Sequence, residues 1–143
     1  MRGVMLAAVL TFVPVTQTDT PSIVGSWAGE FKGQTFLRLD LRVSRGALTG
    51  SLGTGDIEVD DQGGLRRVGT LPSDPKPLFD FSQTGATVTF SRKDGEGTDR
   101  FEFRVLDHTR GELRFLFSEE MRKELAAEGI PVPKPILLTR RAE

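Results

Sequence analysis

The sequence of 143 residues contains no cysteine and no tyrosine, and His108 is its single histidine. Without cysteine the chain can form neither a disulfide nor a cysteine-ligated zinc site, and it has no thiol nucleophile. An excess of one charge is also missing, because 19 Lys and Arg residues are balanced by 20 Asp and Glu residues. A nucleic-acid-binding domain needs a clustered positive footprint, so we expect no nucleic-acid partner.

The N-terminal residues 1–18 combine one cation, Arg2, with an apolar run over residues 4–15 and no acid. This pattern predicts a secretory signal peptide, because the run is shorter than the roughly 20 residues of a membrane-spanning helix. Residues 16–18 read Thr-Gln-Thr, which leaves the cleavage position open; a buried element of the domain is the alternative. We expect an extracytoplasmic bacterial protein, periplasmic or secreted, whose residues 19–143 form one domain without a transmembrane span.

Apolar and polar residues alternate along most of residues 27–117, as where Leu37, Leu39 and Leu41 enclose Arg38 and Asp40. Successive side chains of a strand point to opposite faces, so this period predicts antiparallel strands with one wet face. The apolar face comprises Leu37, Leu39, Leu41, Val43, Leu48, Leu52, Ile57, Val59, Phe79, Phe81, Val88, Phe90, Phe101, Phe103, Val105, Leu113, Phe115 and Phe117.

Turns and one helix complete the predicted architecture. Glycine-containing segments at hairpin spacing separate the strands, and Pro72, Pro75 and Pro77 predict a break there, with a longer loop over residues 71–76. Ser118 is a helix cap, and Gly129 can end that helix before a proline-spaced stretch and a final strand over residues 136–140. We therefore predict an all-β fold: an antiparallel up-and-down barrel of about eight strands, with one short helix before the last strand. An open sandwich is the competing architecture.

Three short segments carry a resemblance to a known family. Residues 23–31 read IVGSWAGEF, residues 46–52 read GALTGSL, and residues 136–140 read ILLTR. The chain resembles small exported bacterial lipocalin-like (calycin-type) barrels, whose first strand carries G-x-W and whose last strand carries an arginine. The resemblance implies that Trp27 packs under Arg140 and closes one barrel end, a structural role to which a cation–π contact adds about 0.5–2 kcal/mol. The second segment is also similar to avidin-type barrels, but the absence of tyrosine argues against biotin binding.

The predicted interior contains no acid, base or amide among its apolar positions. A filled barrel or one that holds a small apolar guest recognised by shape fits this composition. The candidate ligand-lining residues are Phe79, Phe81, Phe90, Phe101, Phe103, Phe115 and Phe117. A cavity above roughly 300 Å³ would favour a ligand carrier, and a packed interior would favour a function of the surface.

Other candidate sites have weaker patterns. His108 lies in a turn, Asp56, Glu58 and Asp60 share one strand face, and the outer face carries an arginine-rich patch. We interpret the turn histidine and the acidic row as solvated, and predict no catalytic residue, no metal site and no cofactor. The patch could bind an anionic polymer, but mixed charges also serve solubility.

Three hypotheses about function follow. The first is an exported non-catalytic module that binds a small apolar ligand or an envelope lipid. The second is a protein-interaction barrel, a secreted inhibitor or an accessory of an exported hydrolase, with an envelope protein as partner. The third is an enzyme that uses His108 with nearby acids.

Overall fold

The computed structural model of the protein describes residues 22–72 and 74–142. The predicted signal peptide, residues 1–18, lies outside the described residues. Within the described part of the chain, no helix is both long enough and apolar enough to cross a membrane.

Ten strands and one short helix make up the described fold, and eight of the strands close into an antiparallel barrel. Around the barrel the strands follow the order β1-β10-β9-β8-β7-β6-β3-β2, so chain neighbours pair and the last strand returns to the first. This confirms the predicted barrel with one helix before the final strand. The strands are β1 Gly25–Phe31, β2 Gln34–Ser44, β3 Ala47–Thr54, β4 Ile57–Val59, β5 Leu65–Val68, β6 Lys76–Thr84, β7 Thr87–Asp94, β8 Gly97–Val105, β9 Arg110–Leu116 and β10 Ile136–Arg141.

The predicted alternation holds through the centre of the barrel. Leucine, phenylalanine and valine side chains of six strands meet inside with no exposed surface, while the charged residues between them remain outside. The fully buried members are Leu37, Leu39, Leu41, Leu52, Val88, Phe90, Phe101, Phe103 and Leu113, together with Trp27 and Leu138. The middle of the barrel is therefore packed with side chains, as expected for a barrel of about eight strands.

A β-bulge in β6 overturns the prediction for Phe79. Between Phe79 and Ser82 the pairing with β7 shifts by one residue, and Asp80 adopts a positive φ of 59°. An extra residue reverses the alternation, so Leu78 is buried before the bulge while Phe79 is 40% exposed. Phe81, beyond the bulge, again packs against the core. Phe79 consequently belongs to the outer wall.

A second irregularity, in β2, buries a residue that alternation placed outside. The register with β1 shifts after Gly29, and Phe36 is the extra residue of β2. Phe36 and its neighbour Leu37 are both fully buried. At the other end of the same strand, Val43 was expected inside but is 58% exposed, because the β2–β3 hairpin extends beyond the barrel.

The proline-rich break ends earlier than predicted. β6 begins at Lys76, and Pro77 is within that strand opposite Ser51 of β3. Proline lacks the N–H group that a ladder needs, and β3 and β6 share just two paired positions. This pairing is the shortest in the barrel.

Two elements outside the barrel frame one of its ends. Strands β4 and β5 form a separate two-stranded hairpin between β3 and β6. Helix α1, Glu119–Ala127, begins after Ser118, whose side chain accepts a hydrogen bond from the Met121 amide. The tip of the hairpin contacts the segment after the helix, because the Lys134 amide donates to the Gly63 carbonyl at 2.9 Å.

Candidate ligand cavity at one end of the barrel

The two ends of the barrel are built differently, and the first is closed by Trp27 and Arg140. These residues are directly opposite each other on β1 and β10. The guanidinium carbon of Arg140 is 4.1 Å from the indole centroid, which is a cation–π contact. The indole edge packs on Phe103 at 4.9 Å, and its Nε1 donates to the Ile23 carbonyl at 3.1 Å.

Arg140 also ties the chain around this end together through three backbone carbonyls. Its Nε donates to His108 at 2.7 Å, and its two terminal nitrogens donate to Val24 at 2.8 Å and Ser22 at 2.5 Å. These carbonyls belong to the segment before β1 and to the β8–β9 turn. The site that the resemblance implied for Trp27 and Arg140 thus connects the last strand to the segment before β1 and to the β8–β9 turn.

The single histidine participates in this connection through its backbone. In the same turn, the Asp107 carboxylate accepts hydrogen bonds from the Thr109 and Arg110 amides and from the Arg110 side chain. The hydrogen bond from the Thr109 amide, followed by that from the Arg110 side chain, holds the pKa of Asp107 well below its ordinary value. The aspartate beside His108 is therefore engaged in shaping the turn.

The opposite end of the barrel contains a cavity of about 630 Å³. Its walls come from the ends of β3 and β9, the β4–β5 hairpin, the helix and the chain after the helix, so distant parts of the sequence form it. The apolar wall consists of Leu52, Ile57, Val59, Pro72, Phe115, Phe117, Leu125, Ile130, Pro131 and Pro133. A volume of this size lies within the range of roughly 300–1,000 Å³ that small-molecule sites occupy.

Two of the seven candidate phenylalanines line this cavity. The rings of Phe115 and Phe117 are nearly parallel, with centroids 6.1 Å apart. Phe101 contacts Phe115 at 5.2 Å and continues the aromatic row into the core. Phe90 and Phe103 lie deeper and fill the barrel, so these two predicted ligand-lining residues belong to the packed core and do not line the cavity.

The cavity also contains a charged pair that the sequence analysis did not include. Arg92 of β7 has 9% of its surface exposed and is opposite Asp99 of β8, with 3.6 Å between its Nη2 and a carboxylate oxygen of Asp99. The other terminal nitrogen of Arg92 donates to the Thr54 hydroxyl at 3.1 Å. This pair corrects the expectation of an interior without charge.

Alternation itself would have found the pair. Arg92 continues the inward series Val88 and Phe90, and Asp99 precedes the inward residue Phe101 with the same period. A list restricted to apolar residue types could not include them. The guanidinium is tolerated there because it has a carboxylate, a hydroxyl and the face of the Phe101 ring, 5.1 Å away, as neighbours.

The surroundings of Asp99 disfavour its ionised form. Burial is the largest cause that raises the pKa of Asp99, and the negative charge of Asp94 raises it further. Arg92 lowers the pKa, but by less than these two effects raise it. The remaining charged groups that line the cavity, Asp56, Asp74, Asp94 and Lys76, are exposed.

The other candidate residues have local partners. Glu58 forms ion pairs with Arg66 and Arg67, whose hydrogen bonds lower its pKa. Asp60 accepts the amides of Gln62 and Gly64 and shapes the hairpin tip. The carboxylates of Glu58 and Asp60 are therefore directed to different contacts.

The outer arginines lie beside acids on the barrel wall. Arg104 pairs with Glu112 at 2.9 Å, and Arg114 is 3.6 Å from Glu102 across neighbouring strands. Arg38 is 3.6 Å from Asp40, to which the Ser26 hydroxyl donates a hydrogen bond. The wall is thus a mixed-charge surface at these positions.

The closed eight-stranded barrel with one short helix is compatible with a lipocalin-like architecture. Similarity to other proteins adds no function to this geometry. Comparisons of the chain with family models, with curated proteins and with solved structures find no match.

Proposed function

We propose that this protein is an exported, non-catalytic barrel of lipocalin-like type that binds a small, predominantly apolar ligand or an envelope lipid. The observation that carries the proposal is the cavity of about 630 Å³ beside a packed core. Apolar cavities with a few polar groups are the usual form of small-molecule sites. The cavity is also separate from the closed end, where Trp27 and Arg140 stabilise the fold.

A neutral, environment-sensitive dye such as Nile red tests the cavity directly. We expect the full chain to bind the dye with a blue-shifted emission. Ile57→Trp places a large ring on the cavity wall and should weaken dye binding at least about tenfold. Val43→Trp, at an exposed position on the far hairpin, is the matched control and should bind the dye as the unmodified chain does. Absence of dye binding, or equal loss in both variants, would refute the assignment of the cavity.

Export is supported by the composition of residues 1–18, and it has its own test. We expect the protein expressed in a bacterium to appear in the envelope fraction with a mass that lacks the N-terminal segment. Native mass spectrometry of that material should then show a bound hydrophobic molecule. An uncut chain in the cytoplasmic fraction would contradict the export part of the proposal.

A second function, protein interaction, is favoured by a different observation. Met121, Ile130 and Val132, on and after the helix, are each more than 40% exposed, and large apolar side chains close in sequence often mark contact surfaces. Ile130 also lines the cavity, so serine substitutions are placed at Met121 and Val132 alone; they should abolish the recovery of a partner from the envelope and leave dye binding unchanged. Recovery that persists in this double variant would exclude this surface.

A further inference from the structure

The polar end of the cavity has an unfulfilled hydrogen-bonding capacity. A guanidinium carries five N–H donors, and Arg92 directs its terminal nitrogens to Thr54 and Asp99. Its Nε is buried and has no hydrogen-bond partner among the described residues. Because a buried donor without an acceptor is costly, a ligand that brings an acceptor oxygen to this guanidinium would be stabilised.

The charges around Arg92 limit what kind of acceptor can enter. Arg92 and Asp99 already neutralise each other, and three more aspartates line the cavity against one lysine, Lys76. An anionic head group would add a negative charge next to Asp99, whose own ionised form is already disfavoured by burial. An ammonium group carries no acceptor and would be placed beside the guanidinium.

We propose that the ligand is an uncharged amphiphile whose head group presents an acceptor oxygen, such as an alcohol, ester or amide, to the guanidinium of Arg92. Its apolar part would lie against Phe115, Phe117 and Leu125 of the apolar wall. This inference rests on the proposed function, since it specifies the ligand of the same cavity. It assigns to Arg92 the selection of the head group and to the aromatic row the binding of the tail.

A series of ligands with one tail and different heads tests the inference on the unmodified chain. Decanol below its solubility limit, and decanoate and decyltrimethylammonium below their micellar concentrations, are titrated against the Nile red complex at neutral pH. We expect decanol to displace the dye at a concentration about tenfold lower than either charged ligand, because decanoate adds a negative charge next to Asp99 and the ammonium offers no acceptor to Arg92. Tighter binding of decanoate would overturn the inference and indicate an anionic ligand that pairs with Arg92 in place of Asp99. Tighter binding of the ammonium would overturn the inference as well.

Variants then assign the effect to Arg92. Arg92→Met keeps most of the side-chain volume but removes the donors, so the preference for decanol over the two charged ligands should disappear. Arg104→Met, at an exposed arginine of the outer wall, is the control and should retain the preference. The urea midpoint of each variant shows whether it folds, and if Arg92→Met does not, Thr54→Val reports on the same guanidinium and should alter the preference. An unchanged preference in a folded Arg92 variant would refute the role of this residue.

The outcomes separate the two proposals. If Nile red and all three ligands fail to bind, the proposed function fails, and this inference fails with it. If the dye binds but the three heads bind equally, the cavity remains a ligand site and the selection by Arg92 alone is refuted.

Discussion

Replacement of Arg140 by methionine tests how strongly one side chain holds the closed end of the barrel. Methionine keeps an apolar stem of similar length, so the change removes the charge and the donors from the face of Trp27. The cation–π contact is worth about 0.5–2 kcal/mol. Of the three carbonyls that lose a donor, that of Val24 is partly buried, while those of Ser22 and His108 are accessible to water.

The expected loss follows from these contacts. Water can replace Arg140 at the two accessible carbonyls, so the partly buried hydrogen bond accounts for most of the rest, about 1.5–3 kcal/mol for a charged donor. Together with the cation–π contact this gives a decrease in the free energy of unfolding of roughly 2–5 kcal/mol. Urea denaturation followed by circular dichroism measures the decrease, and the emission of Trp27, the single tryptophan, reports on the same end.

Arg141→Met is the matched control, one residue further along the same strand. Arg141 forms an ion pair with Glu30 at 3.0 Å, but both side chains are about half exposed, and such pairs are worth about 0–1 kcal/mol. We expect its loss to be within that range. If the two variants were equally stable, or if Arg140→Met cost less than about 1 kcal/mol, Arg140 would not stabilise the barrel as argued.

Three further changes test other parts of the fold. Gly111→Ala would place a Cβ atom 2.6 Å from the ring of a buried phenylalanine, so we expect the free energy of unfolding in urea to fall by about 1–3 kcal/mol. Gly97→Ala is the control and should cost much less, because its Cβ atom would have no contact closer than 3.6 Å. Equal costs of the two changes would contradict this packing. The pKa of Asp107 is lowered in the folded protein, so the stability that its ionised form contributes is present above the ordinary aspartate pKa and is lost as the pH falls toward the lowered value. In Asp107→Asn the free energy of unfolding should therefore depend less on pH in this acidic range. An unchanged dependence on pH there would refute the role of Asp107 in the turn. Phe90→Ala should lower the free energy of unfolding by about 3–5 kcal/mol and Phe79→Ala by far less, since Phe79 lies on the outer wall. The reverse order would mean that Phe79 is buried, as simple alternation predicts.

The extent of sequence-based prediction differs between elements. The strands of the hairpins from Thr87 to Leu116 were predictable, because neighbouring strands pair through short turns and every second residue is apolar. The helix was predictable from Ser118 and the acidic residues that follow it, which complement the positive end of a helix. β6 was mispredicted at Phe79, because a bulge between Phe79 and Ser82 puts the residues before it out of phase with Phe81, and the composition of the strand gives no sign of it.

The candidate site divides in the same way. Arg92 and Asp99 share the inward period of their strands and face each other across one hairpin, so a reading of position instead of residue type would have placed both inside the barrel. The cavity that they line was beyond such reasoning. Its wall is formed where the β4–β5 hairpin, Leu125 and Ile130 meet in space, although they are far apart along the chain. A local sequence pattern does not predict such contacts.

The sequence by itself determined a sheet with one dry face and a capped helix, because alternation, turn residues and capping act between residues that are close along the chain. The tertiary structure decided that the middle of the barrel is filled, that one end is closed by Trp27 and Arg140, and that the other end holds a cavity with a buried arginine. These properties depend on bulges, on strand ends and on contacts between remote segments. Their free energies come from packing and desolvation in three dimensions, which a pattern along one chain does not contain.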